Sequence, residues 1–240
     1  MHSTENLGPR IIFGFKNSDI FITETVLFAI VVAIILIVFA LWSTRKMEKN
    51  PKGAQAVAEL IVEFIYNLVE QTMGKHNVKF APYIGTLFMF LIVGNCLGLF
   101  GIRPVTADMN ATFALAGITF ILIQYNSIKS RSLGGYFKHM AEPYPFMFPI
   151  KLIEEISFPI SLGFRLFGNI TGGVIVMALI FQGLGTACHA LNLPIPLLEA
   201  IIPLPANFFF DIFEAVLQAF IFTMLTMVFV AMGIATHEDH

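Results

Sequence analysis

From Ile150 to Leu193 the chain runs for 44 residues with scarcely a break in its apolar character. As a single helix, at 1.5 Å per residue, that run is roughly 65 Å long. The hydrocarbon core of a bilayer is only about 30 Å thick. Such a helix must tilt steeply, bend at Pro159, or lie partly along the membrane plane. The proline-rich segment 193–205 then turns the chain, and Ala206 to Ile234 repeats the character of the first run. Residues 150–236 are therefore predicted to form a long tilted hairpin. Composition agrees: 57% of the 240 residues are hydrophobic and 12% charged, against roughly 45–50% and about 25% in ordinary soluble domains. So much apolar surface cannot be hidden in a soluble domain of this size, which makes the chain an integral membrane protein.

The rest of the chain divides by the same reasoning. Residues 1–19 are a polar, mixed-charge tail without the basic start and small-residue cleavage site of a removable signal peptide. Residues 20–42 are long enough for a first span. Residues 54–74 repeat apolar positions at helical spacing with Glu59, Glu63 and Glu70 elsewhere around the turn, the pattern of an interfacial amphipathic helix. Residues 82–128 hold a second and a third span, joined by a tight turn at Pro104–Asn110. The second span contains "GNCLG", whose small residues suit close helix contact. The expected fold is all-α, a single membrane domain of five membrane helices plus one interfacial helix. Cys96 and Cys188 lie in apolar runs with no paired spacing and read as small buried hydrophobes. Ten Lys and Arg fall on one side of the predicted spans and three, Arg10, Lys16 and Arg103, on the other. That bias puts the N-terminus outside and the C-terminus in the cytoplasm.

One cation escapes this division. Arg165 is the only Lys or Arg from Leu152 to His240, and an arginine at a helix centre costs about 2.5–3.5 kcal/mol to insert. Ser161 and Asn169 flank it at four-residue spacing and share its face. Glu154 falls near the same face, beside Glu155. On the second hairpin helix Asp211, Glu214 and Gln218 form another polar stripe, three and four residues apart. The simpler alternative is that Arg165 staples the hairpin by pairing with one carboxylate. Five carboxylates in this region, Glu154, Glu155, Glu199, Asp211 and Glu214, exceed what a staple needs and suit a titratable path across the membrane.

The motifs "VTADMNATFALA", "SIKSRSLGGYF", "ISLGFRLFGN" and "LQAFIFTMLTMVFVAM", in that order, span most of the chain. Together they resemble the a subunits of the bacterial F-type ATP synthase membrane sector. The resemblance implies an ion-translocating stator subunit, not itself catalytic, without cofactor or metal, in the bacterial plasma membrane. Its implied partners are a ring of c subunits, the b subunits of the peripheral stalk and the remaining synthase subunits, all within membrane lipid. Ions would reach a ring carboxylate through two offset half-channels, with the hairpin helices crossing near Arg165 and Gln218. By matching position Arg165 is similar to the family's essential arginine, Asn169 and Gln218 to its polar neighbours, and Asp211 to an acceptor in the outside half-channel. Many relatives carry a glutamate nine residues after the arginine. Here that position is Val174, and Glu214, one turn after Asp211, stands as its substitute. Glu154 and Glu155 fall to the inside half-channel.

Other functions lack their signatures. There is no Gly-x-x-x-x-Gly-Lys-Ser/Thr loop for a nucleotide, no His-Glu-x-x-His metal motif, and no second copy of the arginine motif as a repeat-built transporter would carry. Nothing suggests nucleic acid. His2, His237 and His240 sit in terminal tails, where a solvated end is expected. His189 is expected at the outer turn. The "NIT" at Asn169 lies within a span, out of reach of glycosylation.

Overall fold

The computed structural model describes residues 11–14, 21–45, 47–141, 144–190 and 203–234, apart from a few side chains within them. Among these are five helices long and apolar enough to cross a membrane. The fold is all-α save for one small hairpin, in which Ile11–Gly14 pairs antiparallel with Phe21–Thr23. That pairing moves the start of the first span: helix α1 runs Glu24–Thr44, with Glu24 in its first turn. Negative charge there complements the partial positive charge of a helix N-terminus. α1 touches the rest of the protein through Val32, packed with Phe28, Leu36, Phe90 and Val93. Its remaining apolar side chains, such as Ile37, Val38 and Leu41, are exposed, as a lipid-facing helix requires.

Helix α2, Ala54–Met73, follows Gly53. Ile65, Val69 and Met73 point into the core while Glu59, Glu63 and Glu70 are exposed. This is the amphipathic helix expected from the sequence, and it is not among the five spans. Helix α3, Ala81–Cys96, opens with Pro82 in its first turn, where a missing N–H costs nothing. It ends through a short 3₁₀ turn at Gly101, whose φ of +67° only glycine adopts freely. Asp108 then starts helix α4, Met109–Ala141: its Oδ1 accepts from the Asn110 N–H at 3.0 Å.

α4 is kinked. Ser132 has φ +62° and ψ +157°, a combination almost confined to glycine. After the kink the chain doubles back. Tyr136 thereby reaches Gln124, twelve residues earlier, which in a straight helix would stand roughly 18 Å away. Helix α5, Phe148–Ala190, runs on through Pro159 without interruption and packs mainly along α4. The last span begins as α6, Pro203–Phe208, widens into a π-helical segment, Phe209–Glu214, and continues as α7, Ala215–Ile234. α7 lies against α3 and α4. Leu162 and Leu166 of α5, Phe222 and Met227 of α7, and Ile84 and Leu91 of α3 share one buried core. The C-terminal end of α7 is tied to α4 by Ser130 Oγ, which donates to Ile234 O at 3.2 Å, and by Arg131, which donates to Met232 O at 3.3 Å. Those bonds satisfy carbonyls that a helix end otherwise leaves without partners.

Candidate functional site

Arg165 lies midway along α5, on the flank turned away from the core. Leu162 and Leu166 are 2% and 1% exposed, whereas Ser161, Phe164 and Arg165 are exposed and Asn169 is half-buried. The flank is also stripped of bulk: side chains added at Gly168 or Gly172 would meet nothing within 4 Å. Among the described residues Arg165 has no ion-pair partner. The staple alternative therefore finds no carboxylate on the described side chains. The Asp211 side chain and all of Glu199, like the histidines of the two tails, lie outside the described residues. His189 is placed at the end of α5 without its side chain.

Polar clusters lie on either side of Arg165 along α5. Eight residues on, roughly 12 Å, a cavity of about 940 Å³ opens, lined among others by Glu24, Asn95, Arg103, Gly173, Asn207 and Glu214. Glu214 ends the π-helical segment, a widened turn of the kind often found at functional sites. A Cβ on Gly173 would fall 3.3 Å from Glu214 Oε2 and 3.2 Å from Phe210 Cδ1. A side chain at position 173 would crowd this carboxyl and the Phe210 ring where they lie against the α5 backbone. Val174 lines the same cavity and is 56% exposed. Glu214 and Val174 therefore face one cavity. Asn95 is 3% exposed; its Oδ1 accepts a hydrogen bond from the Thr106 hydroxyl, while its Nδ2 has no partner among the described residues. A buried donor left so costs about 1–3 kcal/mol. Gln218, one turn beyond Glu214, is buried, and Asp211 is placed in the π-helical segment by its backbone alone.

Ten residues before Arg165, roughly 15 Å in the other direction, Glu155 is held by two partners. The Tyr136 hydroxyl lies between Glu155 Oε2 and Gln124 Oε1, the latter at 2.7 Å, one donor for two acceptors. Gln124 Nε2 donates to the same Glu155 oxygen at 3.1 Å. Burial, and then the hydrogen bond to the Glu155 carboxylate, push the Tyr136 hydroxyl above its ordinary pKa of 10.0. It therefore stays protonated, and a donor, at every physiological pH. Glu154, next in sequence, is exposed.

The sequence stripes thus separate in space. Glu214 and Glu155 belong to different clusters, with Arg165 between them and in neither. Sequence reasoning missed Asn95, Thr106, Glu24, Gln124 and Tyr136 as parts of these clusters. Asn95 was hidden in "GNCLG", where the glycines drew attention to packing. Thr106 and Tyr136 stand inside motifs quoted above, but their roles depend on a turn and a kink that periodicity does not reveal.

Comparison with known sequences supplies an independent observation. A family described as ATP synthase A chain matches residues 26–231. The chain is 35% identical to ATP synthase subunit a of Moorella thermoacetica, over 93% of this chain and 96% of the relative. It is 36% identical to ATP synthase subunit a of Bacillus subtilis, over 90% and 92%. A relative from Propionigenium modestum, named ATP synthase subunit a, sodium ion specific, is 34% identical over 95% of this chain and 78% of its own length.

Proposed function

Since the chain belongs to the ATP synthase A chain family, we propose that Arg165 is the fixed cation separating two half-channels, one led by Glu214 and the other by Glu154 and Glu155. Membership makes the protein the ion-translocating, non-catalytic subunit a of a rotary ATP synthase, a multi-pass membrane protein that works in a complex with the other synthase subunits. Its partners at the open Arg165 flank are the c subunits of the ring, and the b subunits of the peripheral stalk bind elsewhere on it. In the bacterial plasma membrane the N-terminus faces outward and the C-terminus the cytoplasm.

One observation carries this reading. Acidic clusters stand on opposite sides of Arg165 along a single helix, at roughly 12 and 15 Å, together close to the thickness of a bilayer core. Glu214, Asp211 and Gln218 serve the outer path, whose mouth includes Glu24 and Arg103. Asn169 sits beside the arginine, between the paths. A ring carboxylate arriving within about 4 Å of Arg165 gains on the order of 4 kcal/mol at an effective dielectric of 20. It ionises there and gives up its ion. Arginine keeps its own proton, so it blocks direct passage without relaying. Lipid on the far side of the ring favours the neutral form, and each charge driven across contributes about 2.3 kcal/mol per 100 mV. Choice between proton and sodium rests with ligands on the ring.

Cysteine labelling tests the assignment. In a cysteine-free background, Cys at positions 211 and 214 is expected to react with a membrane-impermeant thiol reagent added outside, and Cys at 154 with reagent added inside. Exclusive labelling of 211 and 214 from the inside would reverse the two paths.

A further inference from the structure

The inner end of α1 and the start of α2 enclose a second cavity, of about 620 Å³, far from Arg165 along the chain. Its wall includes Trp42, Ser43, Arg45, Glu48, Lys52 and the first two residues of α2. We propose that this cavity binds the phosphate oxyanion of an anionic phospholipid headgroup.

Three independent features point to an anion. Ser43 is 3% exposed, and its hydroxyl has no hydrogen-bond partner among the described residues. The neighbouring Thr44 shows the ordinary alternative, donating back to Ala40 O at 2.7 Å; Ser43 forgoes that bond. The second feature is the N-terminus of α2. Its N-cap is Gly53, at φ +60°, and no side chain caps it. A 20-residue helix with an uncapped first turn presents free N–H groups and a partial positive charge, a setting that favours phosphate. The third feature is charge: Arg45 and Lys52 outnumber Glu48 in the wall.

The remaining polar side chain is already committed. Gln55 accepts from Glu48 N at 3.1 Å and donates to Glu48 O at 2.9 Å and to Glu59 Oε1 at 2.7 Å. It pins the connecting segment over the start of α2 and so builds the cavity instead of filling it. A lipid is favoured over free phosphate by what leads to the mouth. Ile37, Val38, Leu41 and Trp42 are 58%, 58%, 66% and 67% exposed along the last turns of α1. They offer an apolar track for an acyl chain, ending in a tryptophan of the kind enriched at the membrane–water boundary.

The test uses the intact synthase reconstituted in phosphatidylcholine vesicles. The rate at which a water-soluble amine reagent modifies Lys52 is compared with that at Lys49. Lys49 lies in the same connecting segment but does not line the cavity, so diffuse surface charge affects both alike. Adding phosphatidylglycerol should slow Lys52 severalfold relative to Lys49. Ser43→Ala, which leaves the net charge untouched, should raise the phosphatidylglycerol content needed for half-protection by roughly tenfold, as expected for losing a hydrogen bond to a charged group. Protection by millimolar inorganic phosphate, in vesicles without anionic lipid, would keep the anion site but make free phosphate its ligand. Equal slowing of Lys49 and Lys52, or protection that Ser43→Ala leaves unchanged, would overturn the proposal.

Discussion

Glu214, whose carboxyl shares a cavity with Val174 of α5, makes the sharpest residue-scale case. Glu214 lies close against Gly173, where an added side chain would crowd its carboxyl, and shares the cavity that Val174 lines. Two consequences follow if the carboxyl, and not its position in the chain, is what the outer path needs. Glu214→Gln should lower coupled ATP synthesis by about 100-fold, the low end of the scale for an acid–base group removed. Val174→Glu, returning a carboxyl to the same cavity, should recover a substantial part of the loss. The comparison is synthesis rate in inverted vesicles at a fixed driving force. A double variant no better than Glu214→Gln alone would show that Glu214 acts by some means other than its charge in that cavity. Arg165, Glu154, Glu155, Asp211 and Glu214 were all legible as exceptions to an oily sequence, since polar groups in lipid need a reason. Their grouping was not. Which carboxylate faces which cavity depends on a close backbone approach at Gly173 and on a π-helical turn, and neither has a hydropathy signature.

At the scale of elements, the kink of α4 decides how the inner cluster is built. Ser132 holds a backbone conformation nearly reserved for glycine, and such a residue stores about 1–3 kcal/mol. The doubling back that follows is what sets Tyr136 against Gln124 and Glu155. Ser132→Gly should therefore leave coupling intact and raise the thermal stability of the solubilised complex, or at worst leave it unchanged. A β-branched residue at the same position should lower it. Destabilisation by glycine would mean that the serine side chain, not the backbone, holds the turn. The spans themselves were readable from length and apolar runs, and α2 from its three glutamates. The α4 kink was not, because "SRSLGG" is equally compatible with a helix end, a loop or a turn. The short N-terminal hairpin was missed for a related reason: Ile20–Thr23 reads as the start of an apolar run, and only its pairing with Ile11–Gly14 makes Phe21–Thr23 a strand.

Across the whole molecule, labour is divided along α5. One end faces the Glu214 cavity, the other the Tyr136–Glu155 network, and the middle presents an exposed arginine on a flank cleared by glycines. An exposed arginine on the outside of a membrane protein is expensive in lipid, and a ring carboxylate at that flank, as proposed, would satisfy both the charge and the function. The measurement that bears most directly on this is ATP synthesis and passive ion leak in vesicles carrying the intact complex with Arg165→Ala. The expected result is an assembled complex that makes no ATP, because ring carboxylates no longer discharge at the interface, together with increased leak through the joined half-channels. Arg165→Lys should also be badly impaired, since it keeps a charge but loses the planar guanidinium and its fixed protonation. Near-normal coupled synthesis in the alanine variant, without added leak, would contradict the account and leave Arg165 a structural residue.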